Sequence, residues 1–361
     1  MEAVNFSAGP AAMPEQVLAR TREALAEPVP LCTRSHRSPE FQAVFERVRT
    51  RLRRLLGLGE GFEVFLLQGG ATQMFATVPL NFLQEGQAAD YVMTGPWSDK
   101  ALAEALIIGA ASGGEVRAIS SGKTEAGYAF IPTDDELGAD PEASYVHITT
   151  NNTIVGSQFH RTPRIEAPLV ADMSSDILSR PLVDPDRFGV IYAGAQKNIG
   201  PAGLTVACVR RDMLQRPSPG PKILSFAQWA QSPMLNTPPS LSVQMADFVL
   251  EWLEDEGGVE EMARRNEAKQ AALYRVIDAD PDFYRTVVWP RDRSWMNVTF
   301  RLPTFDLEAA LITEAESAGL FGLKGHRSVG GLRVSLYNAV PLEGVHRLIE
   351  LMESFRRRHR S

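Results

Sequence analysis

Residues 188–203 read FGVIYAGAQKNIGPAG, an apolar run that ends in glycine and is followed by a lysine among small residues. Such a run is typical of a buried strand in a parallel sheet. Lys197 would then lie just past the carboxyl end of the strand, with Asn198 as its nearest polar companion on the C-terminal side. Parallel sheets bind ligands at this end of their strands. The segment therefore predicts both a fold class and a place for a functional amine.

Further apolar runs alternate with amphipathic helical stretches between about residues 14 and 250. They are FEVFLLQ (62–68), ADYVMTG (89–95), ASYVHITT (143–150), APLVADM (167–173) and GLTVACV (203–209). This alternation predicts an α/β fold in which a mainly parallel sheet is covered by helices on both faces.

A change in composition at SLSVQMADFVLEWLEDEGG (240–258) predicts a long helix that ends at two glycines. We place the domain junction there, which gives a large domain over residues 16–257. The order helix, strand, helix, strand, helix predicts a smaller C-terminal α+β domain over residues 258–361. The N-terminal segment, residues 1–15, is expected to pack near the small domain and the active site.

Composition excludes several classes of function. The net charge of −7 over 361 residues argues against general nucleic-acid binding, and the basic run at 356–360 closes a helix. Cys32 and Cys208 are too few for a disulfide framework or a zinc cluster, so we predict no metal site and a reducing compartment. No export signal or membrane-spanning stretch is recognisable, so we expect a cytoplasmic protein without a membrane partner.

Lysine and aspartate follow neighbouring runs. Burial among apolar residues lowers the pKa of an amine, as covalent catalysis by Lys197 would require, although a lone lysine after a strand is more often structural. Asp172 ends the run APLVADM. In enzymes that use pyridoxal phosphate (PLP), a carboxylate keeps the pyridine nitrogen protonated. Asp172 could also cap a helix through SSDILSR, but together the two residues favour one shared crevice.

Other strand ends offer groups for a planar, phosphorylated ligand. After the glycines at 69–70, Ala71 and Thr72 open a helix whose free amides could hold a phosphate, although a plain strand-helix turn fits as well. The turn lacks the endings of nucleotide and dinucleotide motifs. Trp97 could stack on a ring or fill the core. Thr153 could bond a phenolic oxygen or form a turn.

Basic residues near turns suggest an anionic substrate. His36 and Arg37 form one pair, His326 and Arg327 form another, and Arg333 follows a glycine turn. Arginine binds carboxylate or phosphate through two parallel hydrogen bonds, so this set could hold a substrate with an anion at each end. Each residue taken alone would more often belong to an ordinary surface ion pair.

Motifs spread from Asn5 to the last helix resemble those of the phosphoserine aminotransferase family. The members of this family are class V aminotransferases of fold type I. The motifs are NFSAGPA (5–11), SHRSPEF (35–41), ADMSSDILSRP (171–181), AGAQKNIGPAG (193–203), LNTPPS (235–240) and KGHRSVGGLRVSLYNA (324–339). The resemblance covers nearly the whole chain, and its lysine and C-terminal motifs are highly specific.

The resemblance implies a PLP enzyme and gives each candidate residue a role. Lys197 would hold the cofactor covalently and Asp172 would pair with its ring nitrogen. Gln196 would lie beside the ring and the phosphate. Trp97 would stack on the ring, and Thr153 would contact the phenolic oxygen.

The resemblance also implies a homodimer with shared active sites. The amides of Ala71 and Thr72 would hold the cofactor phosphate. Asn236 and Thr237 occupy a motif that reaches the phosphate from the other subunit. The chain departs from the family at the phosphate turn, where it has ATQMF in place of a third glycine, Ser or Arg, and Gly-Gln-Phe.

The implied reaction is a ping-pong transamination between L-glutamate and 3-phosphohydroxypyruvate, which gives O-phospho-L-serine and 2-oxoglutarate. Arg333 would bind the α-carboxylate, and the two His-Arg pairs would bind the phosphate or carboxylate at the other end. Lys197 would carry the α-proton. Some members of the family also act on 4-phosphohydroxy-L-threonine, in vitamin B6 biosynthesis.

Other classes of protein stay open at this point. A cysteine desulfurase or lyase would share the fold but needs a reactive cysteine, whereas Cys208 lies in an apolar run. An alanine-glyoxylate aminotransferase would not need two His-Arg pairs. A PLP-binding regulator without turnover would keep the lysine but normally carries a basic DNA-binding segment.

Overall fold

The computed structural model describes residues 3–216, 218 and 220–360. Its strands are β1 (Val4–Asn5), β2 (Phe62–Gly69), β3 (Ala88–Met93), β4 (Glu115–Ser121), β5 (Lys123–Thr124), β6 (Gly127–Tyr128), β7 (Tyr145–Thr149), β8 (Asn151–Asn152), β9 (Ser157–Gln158), β10 (Leu169–Asp172), β11 (Phe188–Gly194), β12 (Gly203–Arg210), β13 (Asn297–Phe300), β14 (Leu320–Phe321) and β15 (Leu332–Ser335).

The α-helices are α1 (Glu15–Leu25), α2 (Pro39–Leu55), α3 (Ala71–Phe82), α4 (Pro96–Ser112), α5 (Asp134–Leu137), α6 (Arg211–Leu214), α7 (Phe226–Gln231), α8 (Ser240–Asp255), α9 (Gly258–Asp278), α10 (Phe305–Ser317) and α11 (Leu342–His359). Among the described residues, no helix is both long and apolar enough to cross a membrane.

A seven-stranded sheet in the order β2-β12-β11-β10-β7-β3-β4 forms the centre of the molecule. Only β12 runs against its neighbours β2 and β11, so the predicted mainly parallel sheet is confirmed. All six apolar runs form strands of this sheet. The edge strand β4 was not predicted, because its side chains are half-buried or exposed and no apolar run marks it.

Both faces of the sheet are buried. In β2, Val64 and Leu66 pack in one hydrophobic cluster with α2 and α8, whereas Phe65 and Leu67 pack in another with α3 and α4. Alternate side chains of one strand point to opposite faces, so an uninterrupted apolar run is what two covered faces require. This is the physical reason why the runs could be recognised in the sequence.

A third hydrophobic cluster joins the two ends of the chain. It contains Val4 and Phe6 together with residues from α9 to α11. Strand β1 pairs in parallel with β14, with Val4 opposite Leu320. Strand β14 was not predicted, because a two-residue strand has no periodicity. We propose that this cluster is the core of the predicted small domain and that the N-terminal segment completes it.

Replacing Phe6 by Ala should destabilise the protein strongly. The side chain is 0% exposed, and removing a buried phenyl ring costs about 3–5 kcal/mol. The measurement is the unfolding midpoint of the full-length holoenzyme in urea. Phe305→Ala is the matched control, because Phe305 is 73% exposed and should change stability by about 0.5 kcal/mol or less. Equal midpoints for the two variants would contradict this account of the third cluster.

Candidate active site

A cavity of about 280 Å³ lies at the carboxyl ends of the parallel strands. Nine of the residues that the sequence singled out line it: Ala71, Thr72, Trp97, Thr153, Asp172, Gln196, Lys197, His326 and Arg333. They come from segments more than 250 residues apart in the chain (71 to 333). The central sheet brings most of them together because parallel strands end at the same edge, whereas His326 and Arg333 come from β15 and the loop before it.

Asp172 is the last residue of β10 and lies opposite Tyr192 of β11. Its Oδ1 accepts hydrogen bonds from the amide of Ser174, at 2.9 Å, and from the Ser174 hydroxyl, at 2.6 Å. The Ser174 hydroxyl in turn accepts from the amide of Gly194, at 3.1 Å, so the carboxylate is tied to the end of β11. Burial raises the pKa of Asp172, whereas the Ser174 hydrogen bonds and Lys197 oppose the rise.

The helix that Asp172 could have capped does not form, since residues 174–178 are a series of turns. Ser174 lines the cavity and is a candidate site residue that the sequence reasoning missed. Its signal was available, because Asp followed two positions later by Ser is the pattern of an aspartate that bonds its own backbone in a turn.

Lys197 follows β11 in a turn and lies half-buried in the cavity wall. Burial lowers the pKa of its amine to about 8, although the negative charge of Asp172 opposes this change; Arg333 lowers the pKa further. The N-terminal segment passes close to the lysine. A Cβ atom built on Gly9 would lie 3.6 Å from Lys197 Cε, and the φ of +144° also favours glycine there.

Thr153 connects two of the predicted ligand-binding groups. Its Oγ1 accepts a hydrogen bond from Trp97 Nε1 at 2.8 Å, and its carbonyl accepts from Arg333 Nη1 at 2.8 Å. Arg333 Nε is buried with no hydrogen-bond partner among the described residues. A buried, unpaired guanidinium donor is costly unless a ligand accepts from it. Burial also lowers the pKa of Arg333.

The start of α3 provides free backbone donors. Gly70 precedes the helix without a side-chain cap, and the next two residues, Ala71 and Thr72, line the cavity. The first amides of a helix have no partners within it, and the helix dipole adds positive charge there. This end of α3 is therefore suited to an anionic group, as the predicted phosphate turn requires.

Five other predicted residues lie outside the cavity lining of their own chain. His36 and Arg37 precede α2, and Arg327 is exposed. Asn236 and Thr237 lie between α7 and α8, where the Thr237 carbonyl accepts a hydrogen bond from Gln68 Nε2 at 2.5 Å. Their predicted roles stay predictions.

Neither thiol is placed for chemistry in the cavity. Cys208 is buried in β12, and burial raises its pKa to about 12, which leaves it protonated and unreactive. Cys32 is half-buried in the short 3-10 turn Leu31–Thr33 and does not line the cavity. A desulfurase or lyase mechanism therefore lacks its cysteine.

Comparison with known proteins places this geometry in a family. A model of the class-V aminotransferases matches residues 3–348. The chain is 47% identical to the phosphoserine aminotransferase of Geobacillus kaustophilus over 362 residues, which is 99% of each chain.

Solved structures agree with the sequence comparison. The phosphoserine aminotransferase from Bacillus circulans subsp. alkalophilus superposes with a TM-score of 0.93 at 44% identity, over 99% of each chain. The PLP-bound phosphoserine aminotransferase from Trichomonas vaginalis gives a TM-score of 0.93 at 35% identity, over 98% of this chain and 100% of the other. The chain therefore belongs to the class V aminotransferases, within the phosphoserine aminotransferase family.

Proposed function

We propose that the protein is a phosphoserine transaminase. With PLP as cofactor, it transfers the amino group between L-glutamate and 3-phosphohydroxypyruvate and yields O-phospho-L-serine and 2-oxoglutarate in serine biosynthesis. The observation that carries the proposal is the shared cavity of Lys197, Asp172 and Arg333. Relatives with this activity in their names match over the full length of the chain.

The residues of the cavity fit PLP. The described hydrogen bonds of Asp172 go to Oδ1, which leaves Oδ2 for the pyridine nitrogen. Lys197 supplies the amine that binds the aldehyde, and the amides of Ala71 and Thr72 suit the phosphate. Trp97 is held by Thr153 at the cavity wall, where an indole could stack on the ring. When bound, PLP supplies an electron sink that stabilises negative charge at the substrate α-carbon.

Lys197 is suited to move a proton. A general acid and base works best with a pKa near the working pH, and burial brings the pKa of Lys197 to about 8. Asp172 opposes full neutralisation of the amine, so both protonation states are accessible near neutral pH. Lys197 can therefore take the proton from the substrate α-carbon and deliver it to the carbon of the cofactor that carries the aldehyde.

Cationic side chains lie around His326 at the cavity wall. Arg333 lines the cavity, where its guanidinium can bind a substrate carboxylate. His326 lines the same cavity, and its pKa is lowered by burial and then by the positive charges of Arg333, Arg327 and Lys100. In a chain with a net charge of −7, this local excess of cations favours a substrate that is anionic at both ends. Alanine and glyoxylate each carry a single carboxylate, so they do not need this second set of positive charges.

Three finer features belong to the same proposal. We infer a homodimer in which Asn236 and Thr237 of one subunit complete the phosphate site of the other, because in their own chain they lie outside the cavity lining. A cytoplasmic location agrees with two cysteines that form no disulfide. Activity toward 4-phosphohydroxy-L-threonine is included as a second role, because that compound also carries a phosphate.

A panel of amino acceptors tests the proposed substrate. With glutamate as donor, kcat/KM for 3-phosphohydroxypyruvate should exceed the values for pyruvate and glyoxylate by about 100-fold or more. Two charge-assisted hydrogen bonds to the phosphate, at about 1.5–3 kcal/mol each, are sufficient for this difference. Coupled assays of 2-oxoglutarate release measure it. A preference for an unphosphorylated acceptor would overturn the assignment.

Capture of PLP by the apoenzyme should depend on pH through Lys197. Only the neutral amine attacks the aldehyde, so the capture rate should rise about tenfold per pH unit below pH 8 and level off above it. Asp172→Asn removes a charge that raises the pKa and should move the midpoint down, whereas Arg333→Gln should move it up.

Stopped-flow absorbance of the bound cofactor measures this rate. The reaction of PLP with N-acetyl-lysine under the same conditions corrects for ionisation of PLP itself. A rate that keeps rising to pH 10, or midpoints of the two variants that move in the same direction, would be incompatible with the proposed environment of the lysine.

Mixed dimers test the shared site. Lys197→Ala and the double variant Asn236→Ala/Thr237→Ala should each have little activity as homodimers. A heterodimer of the two contains one site with an intact Lys197 and intact phosphate contacts from the other subunit. It should recover about half of the wild-type kcat, since one of two sites in the symmetric dimer is complete. If Asn236 and Thr237 act within their own chain, heterodimers purified by two different tags will stay inactive.

A further inference from the structure

Three buried asparagines, here called the asparagine cluster, connect the segment of Lys197 with the segment of Arg333. Asn198 directly follows Lys197, Asn338 lies five residues after Arg333, and Asn266 lies on α9. Their exposed fractions are 3%, 7% and 0%. None of the three lines the cavity, so their polarity is not explained by contact with a ligand.

The cluster is a continuous set of hydrogen bonds. The backbone amide of Asn338 donates to Asn198 Oδ1 at 3.1 Å, and Asn266 Nδ2 donates to the side-chain Oδ1 of Asn338 at 2.9 Å. Each asparagine also donates to one of three consecutive carbonyls of the turn that follows Asp172. Asn198 donates to residue 177 at 3.0 Å, Asn338 to residue 178 at 2.9 Å and Asn266 to residue 179 at 2.9 Å.

Helix α9 fixes the loop of Asn338 a second time. Lys269 lies three residues after Asn266 and is 1% exposed. Its Nζ donates to the carbonyls of residues 336, 337 and 340 at 2.9, 2.8 and 3.2 Å. The loop after β15 is thus held by the helix on one side and by Asn198 on the other.

The cluster specifies geometry rather than maximal stability. Asn266 Oδ1 is buried with no hydrogen-bond partner among the described residues, which costs free energy. Apolar side chains would fill such a site without this cost, but they do not fix direction. Amide hydrogen bonds do, because donor and acceptor must be aligned.

We propose that the asparagine cluster is a positioning device that sets the separation of the Lys197 amine and the Arg333 guanidinium. Lys197 must reach the α-carbon of a substrate whose carboxylate is on Arg333. Errors of about 1 Å in such a geometry cost up to about 100-fold in rate. The asparagines act through their neighbours and touch no reactant. The inference rests on the proposed transamination.

The test compares holoenzyme variants. Asn198→Ala breaks the link to Asn338 and to residue 177. Asn81→Ala is the matched control, since Asn81 is 2% exposed and makes three hydrogen bonds to backbone groups outside the site. We expect similar falls in melting temperature for both variants. Only Asn198→Ala should lower kcat/KM for glutamate, by about tenfold or more.

Two further readouts separate positioning from general damage. The pH midpoint of the bound cofactor's absorbance should shift by about half a unit in Asn198→Ala and stay unchanged in Asn81→Ala. Asn338→Ala should also shift this pH midpoint. It tests the proposal if Asn198→Ala does not fold. Asn198→Ala removes the acceptor of the Asn338 backbone amide, and Asn338→Ala removes the side-chain bonds to Asn266 and to residue 178. Because both variants loosen the same connection between the two segments, the double variant Asn198→Ala/Asn338→Ala should lose little more kcat/KM than the worse single variant.

Wild-type absorbance midpoints together with control-like kcat/KM in both single variants would overturn the proposal. Losses that simply multiply in the double variant would also overturn it. A wild-type enzyme that fails to use 3-phosphohydroxypyruvate would overturn the proposed function instead, because the absorbance midpoint reads the cofactor linkage without any amino acceptor.

Discussion

The proposed chemistry of this protein depends on one juxtaposition, that of a buried carboxylate and a half-buried lysine at the ends of adjacent parallel strands. Asp172 ends β10, and Lys197 follows β11 in the next turn. The parallel register holds the two strand ends at one edge of the sheet, and the hydroxyl of Ser174 ties Asp172 to Gly194. Burial shifts the pKa of each group away from its ordinary value, and the opposite charge of the other group limits the shift.

The opposed shifts have a functional meaning. Burial raises the pKa of the acid and lowers the pKa of the base, while attraction between them limits both changes. The result is a carboxylate that can face a ring nitrogen and an amine that can exchange a proton near neutral pH. In the proposed function, Arg333 lines the same cavity, and its positive charge favours an anionic substrate.

The site is assembled from segments that differ in how they are held. In the proposed function, the cofactor end of the site is carried by the central sheet and the start of α3. The substrate end is carried by β15 and by the loops around it, which pack on the third hydrophobic cluster and the N-terminal strand. Thr153 joins the two ends near the cavity through Trp97 and Arg333, and the asparagine cluster joins them behind it. Because the two ends of the site pack on different hydrophobic clusters, polar contacts between them, and not a shared apolar core, align the two ends.

The sequence by itself determined the α/β class, the six main strands, and the places of Lys197 and Asp172, because strands buried on both faces need uninterrupted apolar runs and functional groups follow them directly. Motif resemblance added the family. Only the tertiary structure decided what depends on contacts between distant segments. These are the bond of Ser174 to Gly194, the bridge of Thr153 to Arg333, the pairing of β1 with β14, and the placement of Asn236 and Thr237 outside their own cavity lining. Hydrogen bonds between residues that lie from 20 to more than 300 positions apart leave no periodic pattern in a sequence, because each requires only one suitable atom at each end.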